Sequence, residues 1–218
     1  MGLENRRMRR QTRTVGRVPS RNARRSERTF RKSPAKVPMI AFPMPGQTPA
    51  NGPIVTSEKG RRFACNPAAV LLFVVNEQEQ VLLFAHPARG GRWEVMSGAV
   101  EAGETVLEAA LRETHEEAGR DLAVRPLGTV HAYTYRYDAN VPHMISIAYL
   151  LGYKGGKIEP GDDMRGSAYR WWSLSDVERE RPELLVPHQQ PWLLERAVGL
   201  YRLWRDLPLP AMTGPERH

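Results

Sequence analysis

The chain has 218 residues, with 32 Lys and Arg against 24 Asp and Glu and a formal net charge of +8. This length fits one domain with an additional segment and is too short for two full cores. The longest apolar run, residues 68–75, is far shorter than the ~20 residues that a membrane-spanning helix needs. The N-terminal residues lack the apolar centre of a secretory signal.

The cysteine content gives a further restriction. A single cysteine, Cys65, excludes an internal disulfide and a Cys-based zinc cluster. We expect Cys65 to be a buried or half-buried apolar residue. Together with the absence of a long apolar run, this composition predicts a soluble, cytoplasmic protein.

Positive charge is concentrated in the first 36 residues. This segment has 13 basic and 2 acidic residues (+11), so the other 182 residues have 19 basic and 22 acidic residues (−3). Residues 1–60 are first Arg-rich and then rich in Pro, and they contain too few apolar side chains to form a core. We therefore predict a disordered arm over residues 1–60 and a flexible tail over residues 206–218.

Three interpretations of the arm remain open. Residues 6–36 carry clustered Arg, which is typical of nonspecific contact with nucleic acid. An organelle transit peptide is also Arg-rich and poor in acidic residues. Alternatively, Met39 or Met44 is the true start, and the arm is not part of the native protein.

The remaining sequence, residues 61–205, alternates between apolar strands and helices. Two apolar runs, residues 68–76 and 80–87, predict a hairpin of buried strands. The elements predicted after them are a short extended stretch (92–96), a glycine-containing loop (97–104), a helix ending at Gly119, strands (123–137, 144–153 and 167–174), a short helix (175–180) and a helix from Pro191. This pattern indicates the α/β class, with a mixed sheet covered by helices.

The helix predicted from Glu104 to Gly119 carries a cluster of carboxylates. At 100° per residue, an apolar stripe and an acidic group lie on opposite sides. The stripe consists of Leu107, Leu111, Thr114 and Ala118, and the acidic group consists of Glu113, Glu116 and Glu117. Because like charges repel, we expect a counter-charge. Arg112 could supply it by pairing with Glu116 or Glu104, and so could Mg²⁺ or Mn²⁺; a solvated acidic face is the alternative.

The spacing of residues 98–120 resembles the Nudix box, G-x5-E-x7-R-E-U-x-E-E-x-G-U, in which U is apolar. All seven fixed positions match, namely Gly98, Glu104, Arg112, Glu113, Glu116, Glu117 and Gly119. At about 0.06 per position and about 200 windows, chance gives this match in roughly one sequence per million. Thr114 and Arg120 depart from the pattern at its apolar positions. With the flanking strands, the resemblance extends over about residues 62–205.

The resemblance implies an α/β/α sandwich with a mixed sheet. It also implies a metal-dependent hydrolase that cleaves the diphosphate linkage of a nucleoside diphosphate joined to another group X, with Mg²⁺ or Mn²⁺ as cofactor. The implied metal ligands are Glu113, Glu116, Glu117 and the carbonyl of Gly98. By the same resemblance, Glu104 and Arg112 complete the catalytic set by holding the loop and the helix in register.

Two further functions stay open as alternatives. An RNA 5′-pyrophosphohydrolase would use the basic arm to recruit its substrate. A Nudix-fold nucleotide sensor would bind without catalysis, although the three box glutamates disfavour it.

Substrate contacts are expected outside the box. Tyr135 and Tyr137 lie on one face of a predicted strand, where they stack a nucleobase or pack under a helix. Nudix diadenosine-polyphosphate hydrolases commonly have a Tyr in this neighbourhood, and the segment 93–104 resembles the dATP and dihydroneopterin triphosphate branch. The sequence thus favours a nucleoside triphosphate or a dinucleoside polyphosphate over a nucleotide sugar.

Four charged residues are further candidates. Arg89 and Arg92 lie on a Gly-rich segment before the box, where they could bind a terminal phosphate; simple surface exposure is an equal alternative. Asp162 and Asp163 lie in a loop before the last predicted strand. They are candidates for a general base or an extra ligand, although Asp is common in turns.

Overall fold

The computed structural model describes residues 53–185 and 191–208. The predictions for the basic arm up to residue 52 and for residues 209–218 lie outside these ranges. The strands are β1 (Ile54–Thr56), β2 (Arg62–Ala64), β3 (Ala68–Val75), β4 (Val81–Ala85), β5 (Trp93–Glu94), β6 (Met96–Ala99), β7 (Ala123–Tyr135), β8 (Met144–Gly155) and β9 (Ala168–Trp172). The helices are α1 (Val106–Ala118), α2 (Leu174–Glu180) and α3 (Pro191–Trp204). Within the two ranges, none of the helices combines the length and apolar character needed to cross a membrane.

Seven strands form one mixed sheet, with the order β5-β4-β3-β8-β7; β6 also pairs with β3, and β9 pairs with β4. The pairing of β3 with β8 is parallel, and the other pairings are antiparallel. Strand β3 is buried along most of its length, which agrees with its continuous apolar sequence.

Hydrophobic cores lie on both faces of this sheet. The odd-numbered residues of β3 from 71 to 75 pack in a cluster with α3, and the even-numbered residues from 70 to 74 pack in a second cluster with α1. Because successive side chains of a strand point to opposite faces, the sheet lies between the two helices. The predicted α/β/α sandwich is confirmed.

Four details differ from the sequence predictions. Ile54–Thr56, within the stretch predicted to be disordered, pairs with β2, because its β-branched residues favour a strand. Cys65 is exposed, since it follows this small two-stranded sheet and lies outside both cores. The predicted hairpin of β3 and β4 is paired only at Val75 and Val81, because β4 continues along β9. Ser97–Ala99, predicted as loop, belongs to β6 and pairs with β3.

Candidate active site

Helix α1 is fixed at its N-terminus by a capping box. The Thr105 side chain accepts a hydrogen bond from the Glu108 backbone N–H at 3.2 Å, and Glu108 Oε2 accepts one from the Thr105 N–H at 2.8 Å. These bonds satisfy two backbone donors that the first helical turn leaves free. The start of the helix, and hence the direction of its glutamates, is therefore set by the local sequence.

The C-terminus of α1 is held by a distant loop. The backbone N–H groups of Glu159 and Gly161 donate to the carbonyls of Ala118 and Glu117 at 2.7 and 3.1 Å. The end of a helix leaves such carbonyls without partners, so the loop completes the helix. Asp162 directly follows this contact, which is why Asp162 and the neighbouring Asp163 lie beside the glutamates of α1.

Arg112 joins α1 to the preceding loop through a network of ion pairs. Its Nε and Nη2 donate to the two carboxylate oxygens of Glu104 at 2.8 and 3.0 Å, and Nη2 also donates to the Ala99 carbonyl at 2.9 Å. Its Nη1 lies 2.8 Å from Glu113 Oε1 and 2.9 Å from Glu116 Oε2. Both pairings considered from the sequence, with Glu104 and with Glu116, are present. The Arg112 hydrogen bonds hold the pKa of Glu104 below its ordinary value.

Glu117 is the most deeply placed of the three box glutamates. It is 3 % exposed, and its Oε2 accepts a hydrogen bond from the Ser97 N–H on β6 at 2.9 Å. Burial raises the pKa of Glu117 to about 8; the neighbouring negative charge of Glu113 adds to this rise, and the hydrogen bond from Ser97 opposes it. The sequence placed Glu117 opposite the buried stripe, and the structure corrects this, because Glu117 shares the buried face of α1.

The buried face of α1 is also shifted from the predicted stripe. Its buried residues are Ala109, Ala110, Thr114, Glu117 and Ala118, whereas Leu107 and Leu111 are only half-buried. Small side chains let α1 approach the sheet closely, and the larger leucines lie at the margin of the contact.

Gly98 leaves space beside β6 for the carboxylate of Glu113. A Cβ atom at Gly98 would lie 1.8 Å from Glu113 Oε1, so a larger residue would force this side chain to move. Burial raises the pKa of Glu113, and Arg112 counteracts this effect. The backbone of Gly98 and the carboxylate of Glu113 therefore meet at one point.

A cavity of about 380 Å³ collects the acidic side chains; we call it the carboxylate cavity. Its lining residues are Ser97, Gly98, Ala99, Glu113, Glu116, Glu117, Asp162 and Asp163. Five of these residues carry carboxylates, and none of the described lining residues is basic. Carboxylate and carbonyl oxygens are the donors that Mg²⁺ and Mn²⁺ prefer, so the donor set fits a divalent cation.

The carboxylates are engaged by protein donors in the conformation described. Arg112 lies between Glu113 and Glu116, and Ser97 holds Glu117. Over residues 53–185 and 191–208, no three His, Cys, Asp or Glu side chains converge as a complete ion site. We therefore expect cation binding to move these side chains, and Glu116, whose side chain is 43 % exposed, is the least enclosed of the three glutamates.

A second cavity, of about 300 Å³, adjoins the first; we call it the tyrosine cavity. It is lined by Arg89, Tyr135, Tyr137, Met144 and Ser146, among others, and it shares Ser97, Gly98, Ala99 and Asp163 with the carboxylate cavity. Three of the residues predicted to bind substrate, Arg89, Tyr135 and Tyr137, thus lie together next to the box.

Arg92, the fourth candidate, lines neither cavity. Its Nε donates to the backbone carbonyl of Arg89 at 3.2 Å, because the turn at residues 90–91 directs the chain back along the loop. The sequence suggested that Arg92 binds a phosphate of the substrate. In the structure, Arg92 instead supports the backbone of Arg89 and lies outside both cavities.

Two residues of the site were not predicted from the sequence. Ser97 holds Glu117 through its backbone N–H, which leaves no signal in the side chain. Glu94 is a buried carboxylate on β5 that pairs with Arg89 at 3.0 Å. Its neighbour Trp93 packs edge-to-face on Trp172, with ring centroids 5.0 Å apart. Because successive side chains of a strand alternate between its two faces, Glu94 points to the face opposite Trp93, and this face is the one that carries the site.

A family model described as the NUDIX domain matches residues 66–195, more than half of the chain. The chain belongs to the Nudix family. An ADP-ribose pyrophosphatase from Methanocaldococcus jannaschii is 28 % identical over 151 residues, which cover 68 % of this chain and 80 % of that protein. The NAD-capped RNA hydrolase NudC from Vibrio parahaemolyticus is 29 % identical over 127 residues, or 56 % of this chain, and the match spans 43 % of that relative's length.

Solved structures also show the fold. An ADP-ribose pyrophosphatase from Streptococcus suis superimposes with a TM-score of 0.50 at 21 % identity, covering 63 % of this chain and 93 % of that chain. This likeness supports the α/β/α sandwich of the Nudix domain.

Proposed function

We propose that this Nudix protein is a metal-dependent pyrophosphohydrolase that cleaves the diphosphate linkage of nucleotide substrates. The observation that carries the proposal is that Glu113, Glu116, Glu117, Asp162 and Asp163 all line the carboxylate cavity. Two relatives support it by name, one as an ADP-ribose pyrophosphatase and the other as an NAD-capped RNA hydrolase.

The residues that line the carboxylate cavity have separate roles in the proposed reaction. Glu113, Glu116, Glu117 and the carbonyl of Gly98 would hold Mg²⁺ or Mn²⁺, which would supply positive charge to the diphosphate and make a nearby water more acidic. Water attacks one phosphorus and its oxygen stays on that atom, while the bond from this phosphorus to the bridging oxygen breaks and the bridging oxygen leaves with the other phosphate. Asp162 or Asp163 accepts the proton of the attacking water. Arg112 and Glu104 keep the loop and α1 aligned.

The tyrosine cavity binds the rest of the substrate. Tyr135 and Tyr137 stack on a nucleobase, and Arg89 binds a phosphate. These contacts suit a nucleoside triphosphate or a dinucleoside polyphosphate. The ADP-ribose relative makes a nucleotide sugar the competing substrate class.

The test is a substrate panel with product identification. Purified protein is incubated with Mg²⁺ or Mn²⁺ and with dATP, diadenosine tetraphosphate, ADP-ribose or NAD-capped RNA. We expect hydrolysis of at least one compound, abolished by chelation and lowered at least about 100-fold by Glu117→Gln, since even supporting residues around a metal contribute about 10–100-fold. Glu178→Gln, an exposed change on α2, serves as the control. An untouched panel contradicts the proposal.

A second candidate, hydrolysis at RNA 5′ ends, is supported by the NAD-capped RNA relative and by the +11 charge of residues 1–36. It predicts salt-dependent RNA binding that is lost when residues 1–36 are deleted. Equal RNA binding with and without these residues contradicts this candidate, while hydrolysis of small nucleotides by both proteins would leave the first proposal intact.

A further inference from the structure

The buried carboxylate of Glu94 is not explained by the Nudix box or by stability. Glu94 is 2 % exposed, and its Oε2 pairs with Arg89 Nη1 at 3.0 Å. Its Oε1 has no hydrogen-bond partner among the described residues. A buried polar atom without a partner costs roughly 1–3 kcal/mol, and a buried ion pair is often no more stabilising than apolar residues of equal volume.

The side chain of Arg89 is paired with the buried Glu94, and its exposed part faces the tyrosine cavity. It ends the short 3-10 turn Pro87–Arg89, and its carbonyl accepts the Arg92 hydrogen bond described above. Its side chain is one-third exposed and lines the tyrosine cavity. Its Nη2 lies 3.7 Å from Asp163, whose own side chain is 82 % exposed.

The two contacts of Arg89 differ in strength. The pair with Glu94 is short and buried, so it fixes the direction of the guanidinium. The pair with Asp163 is long and exposed, and such surface pairs contribute little. An anionic ligand can therefore replace Asp163 without disturbing Glu94. A guanidinium presents several N–H donors in a fixed plane, which suits two oxygens of one phosphate.

We propose that Glu94 is a positioning residue, which fixes the Arg89 guanidinium at the junction of the two cavities so that Arg89 binds a phosphate of the substrate. This inference rests on the proposed function and deepens it. Arg89 lines the cavity that holds Tyr135 and Tyr137, and it lies 3.7 Å from Asp163, which lines both cavities. Fixing Arg89 in advance lowers the entropy lost when the phosphate binds.

The test compares the wild type with Glu94→Gln, Arg89→Gln and the double variant, using the best-cleaved compound of the panel. Gln at position 94 keeps the shape of Glu and removes its charge. We expect Glu94→Gln to raise KM about tenfold, equivalent to about 1.4 kcal/mol, with a much smaller change in kcat. Because Glu94 acts through Arg89, the double variant should resemble Arg89→Gln alone. An unchanged KM, or effects that add fully, overturns the inference.

A control and a binding measurement separate this inference from the proposed function. Glu180→Gln also removes a carboxylate paired with an arginine, Arg170, and it lines neither cavity, so its KM should stay at the wild-type value. Calorimetric binding of α,β-methylene-ADP, which has no cleavable bridge, should weaken about tenfold in Glu94→Gln. Equal affinity in wild type and variant, or no binding by the wild type, overturns the inference. An active wild type with an unaffected Glu94→Gln leaves the hydrolase proposal standing.

Discussion

Replacing Glu117 with Gln is expected to make the metal-free protein more stable at neutral pH, although it removes a proposed metal ligand. Glu117 is 3 % exposed, and burial raises its pKa to about 8 from an ordinary value of 4.5. Gln has nearly the same shape and cannot ionise. Its amide oxygen can still accept the hydrogen bond that the Ser97 N–H now donates to Glu117 at 2.9 Å.

The sign and size of the effect follow from the two pKa values of Glu117. Below pH 4.5 the carboxyl is protonated in both states, so it adds no pH dependence. Between pH 4.5 and 8 the unfolded chain releases the proton and the folded protein keeps it, so the free energy of unfolding falls by about 1.4 kcal/mol per pH unit. The full span of 3.5 units (8 − 4.5) corresponds to about 5 kcal/mol as an upper limit. Relaxation and water penetration reduce such penalties, and we expect about 2 kcal/mol at pH 8.

The measurement is urea unfolding from pH 4.5 to 8 in the presence of a chelator, followed by Trp fluorescence. The difference in unfolding free energy between Glu117→Gln and wild type should be small at pH 4.5 and should grow to about 2 kcal/mol at pH 8 with an unchanged m-value. Glu178→Gln, exposed on α2, should follow the wild type at every pH. Parallel curves for Glu117→Gln and wild type would show that the burial of Glu117 carries no such penalty, and the reasoning would be refuted.

Three further predictions concern the same site. Gly98→Ala places a Cβ 1.8 Å from the mobile end of Glu113, so activity should fall at least about tenfold with unfolding free energy changed by less than about 1 kcal/mol; equal activity contradicts this. Gly161→Ala places a Cβ 2.6 Å from the backbone carbonyl of Glu116, so urea unfolding should show a loss of about 1–3 kcal/mol. Mg²⁺ at 100 times its Kd should stabilise the wild type by about 2.7 kcal/mol and Glu117→Gln much less, in thermal unfolding with and without chelator.

The sequence could predict the parts of the fold that depend on local patterns. The continuous apolar run of β3 predicted a buried strand, and Gly119 predicted the end of α1, where its N–H donates to the His115 carbonyl at 3.1 Å. The spacing of the box predicted the family. Each of these signals lies within one short stretch of the chain, so it does not depend on how distant segments pack together.

The burial of Glu117 depends on a distant segment and could not be predicted in this way. The helical projection took Leu107 and Leu111 as the centre of the buried face, because leucine is the usual core residue. The face of α1 that packs on the sheet instead carries alanines and Thr114, and Glu117 is buried there because its carboxylate accepts a hydrogen bond from the Ser97 N–H on β6.

Asp162 and Asp163 show why the rest of the site could not be predicted from the sequence. They are more than forty positions from Glu117 in the chain, and the hydrogen bonds from Glu159 and Gly161 to the carbonyls of Ala118 and Glu117 bring them to the cavity. The same backbone contact satisfies the end of α1, so one loop both completes the helix and supplies two carboxylates. A change that disrupts this loop should therefore lower stability and activity together, whereas a change at Asp163, which is 82 % exposed, should affect activity with little loss of stability. The contrast between Gly161→Ala and Asp163→Asn tests whether the loop has both roles.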